Sequence, residues 1–388
     1  MDLELWHLIL LPLIFAAGWW SRGMERSQMT GAPRDVPERY SRGVRLLLAN
    51  RQDKAIDCFI RITRVDPDHI DLYFVLGELF RNRGEFGRAI RVHQSVADRT
   101  DLPQEVRVRA LHALAEDYMK AGLYDRAERT YHLLRFVPTE HFVALRALLQ
   151  IYIIRHEWVR AIDTARALMI QTGQDYTREI AHYYCELADT AIRMKDYVRA
   201  KEYTEKALRT FQGSPRPFIL LGSVNVSLGD VEAAKKAWLH VLAHYPEYIP
   251  MVVIPLVDLL CAQGKNDRAV ALIEKFGAST QCMDQLDGVM NRLLKMTDEQ
   301  TVQDFSRRAL EMQPTLSGYN AYLLLQRQLH PEDAMTQLLS KMIQRYTRRL
   351  SRYQCSKCGF LASTYAWGCL SCGAWDCFPL QKSDQMLK

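Results

Sequence analysis

"GLYDRA", residues 122–127, is one of seven related six-residue phrases in this chain. The others are NRQDKA ending at Ala55, GEFGRA at Ala89, HEWVRA at Ala161, KDYVRA at Ala200, GDVEAA at Ala234 and GKNDRA at Ala269. Successive closing alanines lie 34, 38, 34, 39, 34 and 35 residues apart. A second position recurs twelve residues before each alanine, occupied by Gly43, Gly77, Ala115, Leu149, Ala188, Gly222 and Val257. Four of these have a large aliphatic just before and a bulky residue three further on: Leu76-Gly77-Phe80, Leu114-Ala115-Tyr118, Leu148-Leu149-Tyr152 and Leu256-Val257-Leu260. A small residue lets two helices of a hairpin approach closely, and the larger neighbours fill the gaps beside it.

A period near 34 residues with this pattern matches the tetratricopeptide repeat, whose unit is two antiparallel helices. Asp66-Pro67, Val137-Pro138 and Tyr245-Pro246 fall near the ends of second helices, where proline stops the helix without opposing the packing. Where bulky Leu149 and Val257 stand in the small position, the hairpins are expected to splay or pack irregularly. After Ala269 the phrase fades, and "LLKMTDEQTVQDFSRRAL" reads as a degenerate eighth unit. Helix is still expected in "TVQDFSRRALEM" and "PEDAMTQLLSKMIQRY".

Such a stack curves and exposes a long concave face built mainly by first helices, a shape suited to capturing peptides or proteins. The pattern puts Arg109, His112, Glu116 and Lys120 on this face in one repeat, and Arg146, Gln150, His182, Asp189, Arg193 and Arg216 along the next three. As a set they carry a basic excess and point to an acidic partner segment. Cys58, Cys185, Cys261 and Cys282 lie at helical positions without partner spacing and read as packing thiols.

Composition narrows the function classes. With 388 residues, 48% of them hydrophobic and 25% charged, disorder as the main state is excluded. The net charge of +6, from 51 basic and 45 acidic residues, is spread along the chain and does not point to nucleic acid. No G-x-x-x-x-G-K-[ST], H-E-x-x-H or G-x-S-x-G stretch is present, so no catalytic residue is assigned and an enzyme is not expected.

The N-terminal "LWHLILLPLIFAAGWW", Leu5 to Trp20, contains no formal charge. As a helix, Leu3 to Trp20 would extend roughly 27 Å, slightly short of the hydrocarbon core of about 30 Å. Trp6 and the pair Trp19-Trp20 stand where interfacial aromatic anchors belong. Asp2 and Glu4 precede the apolar run, and the first cations, Arg22 and Arg26, follow it. The order predicts a single-pass anchor with the N-terminus outside and the remaining chain in the cytoplasm. His7 and Pro12 are unusual inside such a helix.

At the other end, five cysteines fall between Cys355 and Cys377. They resolve to Cys355-x2-Cys358 and Cys369-x2-Cys372, each pair followed by a glycine, Gly359 or Gly373, with Cys377 left over. Two residues between cysteines let both thiolates of a tight turn point at one ion, and glycine allows the positive φ that turns backbone N–H groups toward the sulfurs. Four such sulfurs suit one tetrahedral metal ion, zinc or iron. In a reducing cytosol this spacing favours metal over disulfides. Arg345, Arg348, Arg349 and Arg352 between solenoid and cysteines read as a clamp onto acidic solenoid surface or onto anionic headgroups.

An N-terminal anchor, tetratricopeptide repeats and a terminal two-knuckle metal domain together resemble the lipopolysaccharide assembly protein B family of Gram-negative bacteria. The resemblance covers essentially the full chain and is most specific at "CSKCGF…WGCLSCGAW", which looks like that family's rubredoxin-like ending. Leu370 stands where rubredoxin knuckles commonly carry proline, and the loop between pairs is short. Both departures favour a structural ion, zinc ahead of iron, over a redox iron.

The fold class expected is therefore all-α: a superhelical tetratricopeptide-repeat solenoid with an N-terminal transmembrane helix and a small rubredoxin-like zinc ribbon. The expected domains are a transmembrane anchor (1–22), a linker (23–36), the solenoid (37–343), and a basic linker with the metal-binding domain (344–388). The resemblance implies a non-enzymatic inner-membrane adaptor that lowers lipopolysaccharide synthesis. It would do so by promoting degradation of the lipid A-committing deacetylase by the membrane-bound ATP-dependent zinc protease. Further implied partners are a regulatory inner-membrane protein and other lipopolysaccharide assembly proteins, with homodimerisation left open and no nucleic acid. The competing expectation is a rubredoxin-like electron-transfer module on a repeat scaffold.

Overall fold

The computed structural model describes residues 35–65, 68–276, 286–312, 314–347 and 353–380. The expected anchor at 1–22, Pro67, Cys282, Arg348, Arg349 and Arg352 lie outside these residues. Among the described residues there are eighteen α-helices, and none is long and apolar enough to cross a membrane.

Most helices pack in consecutive pairs. They are α1 (Asp35–Leu48) with α2 (Gln52–Val65), α3 (Ile70–Asn82) with α4 (Phe86–Ala97), α5 (Gln104–Lys120) with α6 (Tyr124–Leu134), and α7 (His141–Ile154). Then follow α8 (Trp158–Thr172), α9 (Thr177–Arg193) with α10 (Tyr197–Thr210), α11 (Arg216–Ser227) with α12 (Val231–His244), and α13 (Ile249–Ala262) with α14 (Asn266–Phe276). The last four are α15 (Leu286–Leu293), α16 (Glu299–Met312), α17 (Leu316–Leu329) and α18 (Ala334–Thr347). Two short strands, β1 (Tyr353–Gln354) and β2 (Leu361–Ala362), pair antiparallel near the C-terminus. By compactness the chain forms one unit up to Ile151 and a second from Tyr152.

The recurring phrase has a backbone explanation. Its seven first residues, Asn50, Gly84, Gly122, His156, Lys195, Gly229 and Gly264, all adopt positive φ, between 56° and 84°. Each ends a first helix with the same pair of bonds. Gly84 N–H donates to the Arg81 carbonyl at 3.0 Å, and Glu85 N–H reaches back to the Phe80 carbonyl at 2.8 Å. Lys195 and Asp196 repeat this onto Ile192 and Ala191, both at 2.9 Å. This is the Schellman closure, which satisfies the last carbonyls of a helix through one left-handed residue. Glycine adopts that conformation freely; asparagine, histidine and lysine do so at a cost.

The phrase ends on the core. All seven alanines are fully buried. Where glycine holds the small position of a first helix, it takes a side chain from the second helix, sixteen residues on. A Cβ on Gly43 would meet the Phe59 ring at 2.4 Å, on Gly77 the His93 ring at 2.2 Å, and on Gly222 the Trp238 indole at 2.1 Å. Val257 is buried in the same apolar cluster as fully buried Ile273, and Leu149 is buried too. Two branched aliphatic side chains fill the gap that glycine and tryptophan fill elsewhere.

Beyond Ala269 the expected helices appear as α16 and α18, and α17 joins them without any phrase to announce it. The proline expectations also hold where described: α6 stops four residues before Pro138, and Pro246 follows the end of α12.

Candidate metal centre

Residues 353–380 fold around two similar turns. Tyr353 pairs with Ala362 and Gln354 with Leu361 on either side of the first cysteine pair, while Gly368 bridges Trp375 around the second. Within each turn the hydrogen bonds repeat. Gly359 N–H donates to the Cys355 carbonyl at 2.9 Å and Gly373 N–H to the Cys369 carbonyl at 2.8 Å. Cys355 N–H donates to Phe360 and Cys369 N–H to Ala374, at 2.9 and 2.8 Å. Gly359 and Gly373 have φ of 77° and 70°, the left-handed conformation that the spacing requires.

The turns bring the sulfurs of Cys355, Cys358, Cys369 and Cys372 within 4.8 Å of one another. Cys355 Sγ lies 3.8 Å from Cys372 Sγ, and Cys358 Sγ lies 3.7 Å from Cys369 Sγ. A tetrahedral ion with sulfurs at about 2.3 Å demands sulfur–sulfur edges of about 3.8 Å. The quartet fits. Burial pushes the Cys355 thiol up, but N–H groups of Cys358 and Lys357 outweigh it and hold its pKa down at about 6. A thiol so close to ionisation yields its proton readily to a metal. Lys357 N–H lies 3.4 Å from that sulfur. These four cysteines could hold one ion, and an all-thiolate set suits zinc or iron.

Cys377 stands apart from the quartet. Its thiol donates to the Ala374 carbonyl at 3.1 Å, and burial together with Cys355 pushes its pKa up to about 12. The small core holds buried Cys355, Cys369, Cys377 and Phe378, so three of its four buried residues are cysteines. So little apolar surface cannot stabilise a fold this small; an ion or a supporting surface must.

A supporting surface is present within the second unit. Trp375 stacks on His182 of α9, centroids 4.7 Å apart and rings 10° from parallel, and meets Tyr183 edge-on at 6.0 Å. Asp376 Oδ2 accepts from His182 Nε2 at 2.9 Å. Trp367 stacks on Tyr248 at 5.5 Å. Between the two indoles lies the Arg216 guanidinium, 5.6 Å from the Trp367 centroid and 5.9 Å from that of Trp375. Its Nη2 donates to Glu186 at 2.8 Å and to Asp189 at 2.6 Å. Burial raises the Asp189 pKa, and Arg216 partly offsets this. Arg216 Nε and Nη1 have no hydrogen-bond partner among the described residues. The nearby indoles offer their negative π faces to the cation. Asp376 itself has φ of 50°, an unfavourable backbone for a residue whose side chain is needed at His182.

His182 and Arg216, 34 residues apart, occupy the same register position in successive repeats. Both were expected to face a partner. They are buried against the chain's own metal-binding segment instead. Asp189 is held by Arg216, and Arg193 remains exposed, donating to Thr190 at 3.0 Å.

The remaining expected partner residues lie in the first unit. Arg109 is exposed, over the Phe74 ring at 4.1 Å and 3.1 Å from Asp71. His112 bonds Glu140 at 2.6 Å and lies 3.4 Å from Glu116, which also pairs with Arg81. Contact with Glu116, ahead of Glu140 and against burial, raises the His112 pKa; the same contact brings Glu116 down to about 2. Lys120, Arg146 and Gln150 are exposed. Sequence reasoning missed Tyr183, Glu186, Tyr248 and Asp376. Their only signal was the pair of tryptophans flanking the second knuckle.

The tetratricopeptide repeat family pattern matches residues 72–106 and 181–210. A crystal structure of a tetratricopeptide repeat protein from Parabacteroides merdae aligns with 72% of this chain and 100% of its own, at 13% identity and a TM-score of 0.34. Lipopolysaccharide assembly protein B of Haemophilus influenzae is 27% identical, covering 95% of this chain and 96% of its own length. The protein of that name from Escherichia coli K12 is 34% identical over 381 residues, 95% of each chain. With repeats, cysteine quartet and near-complete coverage together, the chain belongs to the lipopolysaccharide assembly protein B family.

Proposed function

We propose that this chain is a non-enzymatic, single-pass inner-membrane adaptor for lipopolysaccharide assembly, its repeats facing the cytoplasm. It brings the lipid A-committing deacetylase to the membrane-bound ATP-dependent zinc protease and so limits lipopolysaccharide synthesis. A regulatory inner-membrane protein restrains it through the apolar N-terminal stretch. The observation that carries this reading is the similarity to lipopolysaccharide assembly protein B over 95% of both chains. Anchoring confines adaptor and protease to one plane and raises their effective concentration. Exposed Arg109, Lys120, Arg146 and Gln150, all in the first unit, receive the deacetylase.

The test is the deacetylase half-life in cells lacking this chain, complemented by wild type or by Arg109→Glu/Arg146→Glu. Deletion should lengthen the half-life and wild type restore it. The double variant should fold and bind metal while failing to co-purify the deacetylase. An unchanged half-life on deletion overturns the proposal.

A further inference from the structure

Helix α18 is packed the wrong way round for a core helix. Met335, Leu338, Leu339 and Met342 follow the i, i+3, i+4, i+7 spacing of one helical face. That face is turned outward, with exposures of 63, 55, 38 and 51%. Ser340 on the other side is fully buried, and Thr336 and Gln344 are half-buried. A helix that buries its polar side and shows a continuous apolar stripe has a further surface to meet.

Charge says which. From Ala334 to Lys357 the sequence carries Lys341, Arg345, Arg348, Arg349, Arg352 and Lys357 and no acidic residue. Lys341 and Arg345 are exposed, and among the described residues neither is in an ion pair. A second copy of this helix would bring the same cations onto the stripe and be repelled. An anionic bilayer accepts both features: cations at the headgroups, and unbranched methionine and leucine side chains among the acyl chains. We infer that α18 lies on the anionic surface of a lipid bilayer through Met335, Leu338, Leu339 and Met342, flanked by Lys341 and Arg345. This deepens the membrane-anchored reading, on which it rests for delivery of the helix to a bilayer.

The test uses the full chain in nanodiscs of phosphatidylcholine or of phosphatidylglycerol-enriched lipid, reading hydrogen exchange over residues 334–347. Exchange should be slower on the anionic discs by about 5-fold or more, the effect of a single cation at such a surface. Leu338→Ser/Met342→Ser, at exposed positions that leave the fold intact, should abolish the slowing. Equal exchange on both lipids overturns the inference. So does protection that appears only with self-association or an added protein. Retention on phosphatidylcholine discs reports the anchor separately. Chain that stays there without slowed α18 exchange on anionic discs refutes this inference alone. Chain lost from phosphatidylcholine discs, yet protected at α18 on anionic ones, refutes the anchor alone. Chain retained on neither lipid refutes both.

Discussion

Trp375 lies flat on His182, 4.7 Å from centroid to centroid, and the next residue, Asp376, accepts a hydrogen bond from the same imidazole. One histidine therefore holds a neighbouring pair from the metal-binding segment by two different forces. An aromatic stack contributes about 0.5–1.5 kcal/mol, and a hydrogen bond to a charged group about 1.5–3 kcal/mol. His182→Ala should weaken docking by about 2–4 kcal/mol. Hydrogen exchange over 353–380 should quicken while the metal stays bound. Unchanged exchange would show that the stack and bond contribute nothing to docking.

Metal content separates the five clustered cysteines. Cys355→Ser should reduce bound metal from one ion per chain to a small fraction, measured by mass spectrometry of purified protein. Cys377→Ser should keep the ion, because its thiol bonds the Ala374 carbonyl and lies outside the quartet. Equal loss in both variants would make Cys377 a ligand.

The left-handed helix ends predict opposite effects at two equivalent positions. Lys195 is exposed and pays for positive φ without glycine's freedom. Lys195→Gly should stabilise by about 0.5–1 kcal/mol, and Gly84→Ala should destabilise by about 1 kcal/mol or more. Thermal melting checks both. His156→Gly should gain less than Lys195→Gly, since it also removes an edge-on contact with Trp158 at 5.2 Å.

The Glu116–His112 pair sets a pH window for the first unit. Glu116 titrates at about 2 in the folded chain, below its unfolded value, so its contribution is present above about pH 4.5 and lost as pH falls toward 2. His112 is shifted upward, so its contribution is complete below about pH 6.5 and lost as pH rises through its folded pKa. Stability of α5 should peak between these limits. Exchange measured across pH should flatten on the acid side in Glu116→Gln and on the alkaline side in His112→Ala. A profile unchanged in both variants would show that the pair carries no pH dependence.

The solenoid was legible because its first seven hairpins repeat a local requirement, a left-handed stop and a buried alanine, and three of them add a glycine facing a ring. The cysteine quartet was legible for the same reason, being set by spacing over a few residues. Docking was not. His182 and Asp376 are 194 residues apart, and nothing local marks a surface histidine as the seat of a distant tryptophan. Helix α17 escaped notice because it begins at a Thr315 cap with no phrase before it.

A stack of hairpins ordinarily flexes like a spring, each joint turning a little against the next. The metal-binding segment touches His182 of α9, Arg216 of α11 and Tyr248 just before α13, and so acts as a splint across their joints. The stiffness of that stretch then follows the docking of this segment: with the splint in place its curvature is set in advance, and without it each joint recovers its own play.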